Sequence, residues 1–156
     1  MYEIILAVHS VVRWLVLIVG VVALAQNISG WLGNKTWTAK NRKINGAFIG
    51  MFHLQVLLGL LLYVGGFSPT MNRIFSNFGG AMKDAALRFW AVEHISMMLL
   101  AAIVAHVAHV VSKRQDADVT RFKYASIGFI LAFVLVLVAI PWPFREAVGR
   151  SLIPSF

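Results

Sequence analysis

The sequence predicts an all-α integral membrane protein, a four-helix bundle with its N and C termini on the outer, periplasmic side. Three observations carry that reading. Of 156 residues, 60% are hydrophobic and only 13% charged, whereas a soluble globular chain carries about 45–50% apolar and about 25% charged residues. A water-soluble core of this size cannot hide that excess. Four apolar runs reach the roughly 20 residues needed to cross a hydrocarbon core about 30 Å thick. The basic residues cluster at the ends of those runs, the usual mark of membrane loops, so the net charge of +8 does not indicate a nucleic-acid partner. The absence of cysteine excludes disulfides, thiolate-held clusters or zinc, and covalent haem attachment.

The first span is expected over residues 4–25. Met1-Tyr2-Glu3 lacks a basic leader, and the run is long enough to span, so it is not read as a signal peptide. The second span is expected over 44–66. An outer segment, 67–86, contains Pro69 and the Gly79-Gly80 pair and has room for a short interfacial helix around Asn72 to Phe78. The third span covers 87–111 and the fourth 124–142, where Pro141 and Pro143 stop it. No repeat or linker divides the chain, which reads as one four-span domain. Lys35, Lys40, Arg42 and Lys43 follow span one, and Lys113, Arg114, Arg121 and Lys123 follow span three. Arg73, Lys83, Arg88, Arg145 and Arg150 lie on the other side. Eight against five places the two basic loops in the cytoplasm.

Ionisable residues inside a span are costly and are functional candidates by default. Here they are His9 and Arg13 in span one, His53 in span two, and Glu93, His94, His106 and His109 in span three. At about 1.5 Å per residue, His9 and His94 sit roughly 9 Å below the outer boundary, and His53 and His106 roughly 15 and 11 Å above the inner one. Four histidines thus sort into an outer pair and an inner pair, each drawn from two helices. Small residues share their faces: Gly20 with His9 and Arg13, Gly46 and Gly50 with His53, and Ala91, Ala101, Ala102 and Ala105 with the span-three histidines. Room beside a histidine is what a flat macrocycle in a helix bundle needs. Small faces and histidines also serve plain helix packing, but matched depths on three helices favour axial haem ligation. Zinc or non-haem iron wants three or four ligands at one level, and this chain offers two. Met97 and Met98 are read as core, and His109, near Lys113, as headgroup-facing and a reserve ligand.

Arg13 needs a partner at its depth. Glu93 is the packing candidate, and haem propionates, met by Arg13 with Arg88, are the functional one. Trp14 lies too deep for an interfacial belt, and with Arg88, Trp90 and Glu93 it outlines an expected quinone pocket near the outer surface.

The strings His9-Ser10-x-x-Arg13-Trp14, His53-x-Gln55-x-Leu57-Leu58-Gly59, Arg88-Phe89-Trp90-x-Val92-Glu93-His94 and Ile140-Pro141-Trp142-Pro143-Phe144 resemble a group of small four-span bacterial proteins labelled cytochrome b-like. The resemblance covers nearly the whole chain. It implies haem b, a place in membrane electron transfer, and His9, His53 and His94 as sites; His106 is the weakest transfer. The expectation is therefore a b-type cytochrome of the bacterial inner membrane with one or two haems b, His9/His94 outside and His53/His106 inside. It would move electrons between quinol and a respiratory partner, as an electron-transfer subunit of a larger complex or homo-oligomer rather than a stand-alone enzyme. Two rival readings stand beside it: a haem-free accessory or assembly subunit, and a small transporter built on the histidines and Glu93.

Overall fold

Apolar runs with no internal proline become helices, and in the computed structural model, which describes residues 1–152, every regular element is helical. Helix α1 spans Tyr2–Leu32, α2 Ala39–Val64, α3 Pro69–Ser76, α4 Phe78–Ala81 and α5 Ala85–Arg88. A single π-helical turn, Phe89–Glu93, joins α5 to α6, His94–Lys113; α7, Asp118–Ala139, completes the chain. Four of these stretches (α1, α2, the continuous run Ala85–Lys113, and α7) are long and apolar enough to cross a membrane.

Helix α1 runs seven residues past the expected end at Ala25. The reason is a buried amide network that the hydropathy pattern conceals. Asn27 and Asn45 are both fully buried and exchange side-chain hydrogen bonds of 2.9 and 3.2 Å. Gln26 donates to Asn45 Oδ1 at 2.9 Å and accepts from Asn41 Nδ2 at 3.0 Å. Buried amides are tolerated where their partners are supplied, so α1 and α2 stay paired beyond the apolar stretch. A capping box, Thr38 with Asn41, then starts α2.

The outer segment does contain a helix, displaced from the expected position. Ser68 caps its first turn by accepting from Met71 N, with Pro69 at the start. Asn77 ends it and caps the next short turn by accepting from Gly80 N. The expected range 72–78 therefore straddles a break.

The long helices form a ring in which α1 packs on α2 and α7, and α6 on α7 and α2. Helices α1 and α6 consequently stand diagonally opposite. Phe48 sits at the centre, with its ring centroid 5.8, 4.9 and 5.9 Å from those of Phe52, Phe129 and Phe133. Gly20 leaves no open room, contrary to expectation: a Cβ there would lie 2.5 Å from Phe133 and 2.8 Å from Phe48. Aromatic side chains from α2 and α7 occupy the middle of the bundle, which confines open space to the ends.

Past α7 the chain turns at Pro141 and folds back over the end of the bundle that carries both termini, the end expected to be the outer one. The Leu152 carbonyl accepts from Arg13 Nη2 at 2.8 Å and from Trp14 Nε1 at 2.9 Å. This corrects two expectations. Trp14 is an anchor for the C-terminal segment and does not line the main cavity. Arg13 does not pair with Glu93, which binds Arg88 Nε at 2.9 Å on a side chain 39% exposed.

Candidate functional site

At the outer end the diagonal gap between α1 and α6 opens into a cavity of about 140 Å³, walled mainly by apolar side chains of α1, α2, α6 and the outer segment. His9 and His94 both line it, as do Arg13, Trp90 and Arg150.

The π turn positions the α6 end of this site. Its extra residue makes the His94 N–H bond to the Phe89 carbonyl, so the helix is locally overwide, as π-bulges near functional sites often are. Phe89 and Trp90 pack against the His94 imidazole, tilted by 47° and 56° at centroid distances of 5.7 and 5.5 Å. His94 Nδ1 lies 2.8 Å from the Ala139 carbonyl. A carbonyl only accepts, so Nδ1 carries the hydrogen and Nε2 is left as the basic nitrogen. A backbone carbonyl fixing one nitrogen while the other is free is the usual support of a metal-ligating histidine.

His9 approaches from α1. Its Nε2 lies 3.2 Å from Gln55 Nε2, and a Cβ on Gly59 would stand 3.2 Å from its Cε1. The absence of a side chain at Gly59 is what lets the ring lean there. Among the described residues, His9 Nδ1, Gln55 Oε1 and Arg13 Nε are buried polar atoms without a hydrogen-bond partner, and all three residues line the cavity. Such atoms cost about 1–3 kcal/mol each when left unmade. Their concentration here marks a place where a polar ligand is favoured. Among the described residues, Arg13 and Arg150 line the cavity and no carboxylate does, an environment that favours an anionic group. Arg150 is itself seated 4.5 Å over the Trp90 ring.

The residues expected to form a quinone pocket do not assemble as a set. Trp90 lines the cavity, whereas Arg88 and Glu93 form an ion pair in a separate cleft with Arg145 and Glu146. Arg13 and Arg150, rather than Arg88, are the cations at the main cavity. Gln55 and Arg150 are the participants that the reading of the sequence passed over. Gln55 lies two residues beyond His53 and on a different face of α2, a signal that helical angles could have supplied. Arg150 reaches the site only through the fold-back of the C-terminal segment, which no periodicity announces.

The inner pair has a different character. His53 and His106 stand ring against ring, with centroids 5.2 Å apart and planes inclined at 35°. Nitrogens bound to an ion at about 2.0–2.1 Å on opposite sides put two imidazole centres about 6.5 Å apart. The rings are therefore too close to flank an iron between them, and both are exposed on the outside of the bundle. A second haem between them does not fit. His106 lies about 120° round α6 from His94. Ala101 and Ala105, fully buried, share the inward face with His94, which leaves His106 turned away from it. His109 is partly buried, with Nδ1 unpartnered. Among the described residues no three His, Asp or Glu side chains gather as a metal site.

No protein-family model matches this chain, and neither a curated protein nor a solved structure shows significant similarity to it.

Proposed function

We propose that the chain is a b-type membrane cytochrome of the bacterial inner membrane. It would carry one haem b in the outer cavity, where His94 and His9 would hold it. The observation that carries this reading is the His94 imidazole, fixed by the Ala139 carbonyl and facing the same cavity as His9 from the opposite side of the bundle. Arg13 and Arg150 line that cavity and would neutralise the haem propionates. Bound haem would supply one-electron chemistry. The chain's part is to hold the iron through two imidazoles, neutralise the propionates and exclude water with the apolar wall. The basic loops 33–38 and 114–117, with their flanks, support an orientation with both termini on the periplasmic side. The electron donor is read as quinol and the acceptor as a partner subunit.

The cavity volume favours a second reading. About 140 Å³ is close to the roughly 150 Å³ that accommodates a benzene ring, so the apolar walls must part to admit a macrocycle. A single quinone ring is far closer to that size than a macrocycle, and its carbonyls would meet His9 or Arg13. A pyridine haemochrome assay and dithionite-reduced spectrum on the detergent-purified chain separate the two. One haem b per chain supports the cytochrome. A well-folded chain that takes up no haem but retains extractable quinone supports the second reading.

A further inference from the structure

Two imidazoles facing outward within a span are costly in lipid unless something polar meets them. His53 and His106 are in that position, about 15 Å along α2 from the basic end at Lys43. Among the described residues neither ring has a hydrogen-bond partner; each has only the other, at 5.2 Å. Two nitrogens bound to one ion at about 2.0–2.1 Å in a tetrahedral arrangement would set their ring centres about 5 Å apart. The observed separation thus matches two neighbouring ligands of one tetrahedral ion. Such an ion needs two more donors, and among the described residues no third His, Asp or Glu gathers with the pair.

The surface beside the pair shows where they come from. Gly46, Gly50, His53, Leu57 and Val64 follow one another at intervals of four, three, four and seven residues, the repeat of a helix-packing seam, and all are exposed. Phe48, Phe52 and Gln55, which are buried, lie on other sides of α2. A Cβ added at Gly46 or Gly50 would meet nothing within 4 Å, so another helix backbone can approach closely there, as small-xxx-small faces allow. None of these five residues carries a fixed charge, and the exposed Arg42 and Lys43 lie at the end of the seam, before Gly46. Two copies related by a two-fold axis along the membrane normal have their histidines at one depth, and the symmetry doubles the pair to four.

We infer that His53 and His106 form half of an intersubunit transition-metal site, completed by the same two residues of a second copy packed along Gly46 and Gly50 of α2. The ion is of the zinc or copper class that imidazoles select. This site is independent of the outer cavity and of what that cavity holds.

Cobalt(II), whose visible spectrum reports tetrahedral ligation, is the probe, titrated into the full-length chain in detergent with mass measured by light scattering. The expected result is half an equivalent of cobalt per chain, bound to a dimer. H53A and H106A should each abolish the tetrahedral spectrum. G50L, which keeps every ligand but blocks close approach, should shift the chain to monomer and weaken cobalt binding about tenfold or more. Circular dichroism of each variant establishes that it is folded. Absence of binding, one ion per monomer, or unchanged cobalt affinity in folded H53A or G50L would each overturn the site.

Discussion

His94 and Ala139 are joined by a 2.8 Å hydrogen bond from the imidazole Nδ1 to the backbone carbonyl. It ties the first residue of α6 to the last residue of α7. The carbonyl is available because α7 ends there: Pro141 and Pro143 follow, and prolines lack the N–H that would continue the helical ladder. The proline stop thus fixes the orientation of the imidazole that the proposed haem needs.

That relationship gives the first prediction. His94→Ala should remove the haem absorbance of the purified chain, and His53→Ala should leave it intact. Reduced-minus-oxidised spectra of the two variants, normalised to protein, provide the check. Loss in both or in neither would be incompatible with a single outer haem.

Gly59 faces the His9 ring. Its replacement by leucine must displace that ring, since even a Cβ would stand 3.2 Å from Cε1. Over-packing of this kind costs about 1–3 kcal/mol. G59L should lower ligand occupancy of the outer cavity while leaving the helical circular dichroism unchanged, measured as bound haem or quinone per chain.

The amide network predicts a stability effect far from the cavity. Asn45→Leu deprives Asn27 and Gln26 of their shared acceptor and leaves buried amide atoms unpaired, at about 1–3 kcal/mol. A lowered thermal midpoint in detergent is the expected outcome, with the outer cavity still binding its ligand. An unchanged midpoint would mean that water enters this end of the bundle freely.

Gly128 meets Ala108 where α6 and α7 pack, and a Cβ at Gly128 would collide with the Ala108 methyl. Gly128→Val should separate the two helices and destabilise the protein by about 1–3 kcal/mol or more. Because the His94–Ala139 bond bridges the same pair of helices, the variant should also bind its ligand less tightly than wild type. Parallel melts with and without ligand would test both effects.

The clasp on the C-terminal segment is open to proteolysis. Arg13→Ala removes the 2.8 Å hydrogen bond to the Leu152 carbonyl and leaves the Trp14 bond to the same carbonyl in place. Faster cleavage between Pro141 and Leu152 under limiting protease is expected, detected by intact mass. Equal cleavage rates in the two proteins would show that Arg13 does not hold the segment.

The sequence by itself determined the class of protein and the number of spans, because the length and composition of an apolar run are local quantities that a bilayer reads directly. It also marked the histidines, since any ionisable group in such a run is conspicuous. It did not determine which way those histidines face. Helical angles place His53 with Gly46 and Gly50, but only packing says whether that face is inside, and Phe48 and Phe52 settle it by filling the centre from another side. The same distinction separates His94 from His106 on one helix. Arg13, Trp14 and Arg150 came to their places through a segment folding back after α7, and Glu93 found Arg88 on its own stretch of chain. These are contacts between residues up to 139 positions apart. They depend on the competition of all side chains for one interior, which periodicity along a single helix does not contain.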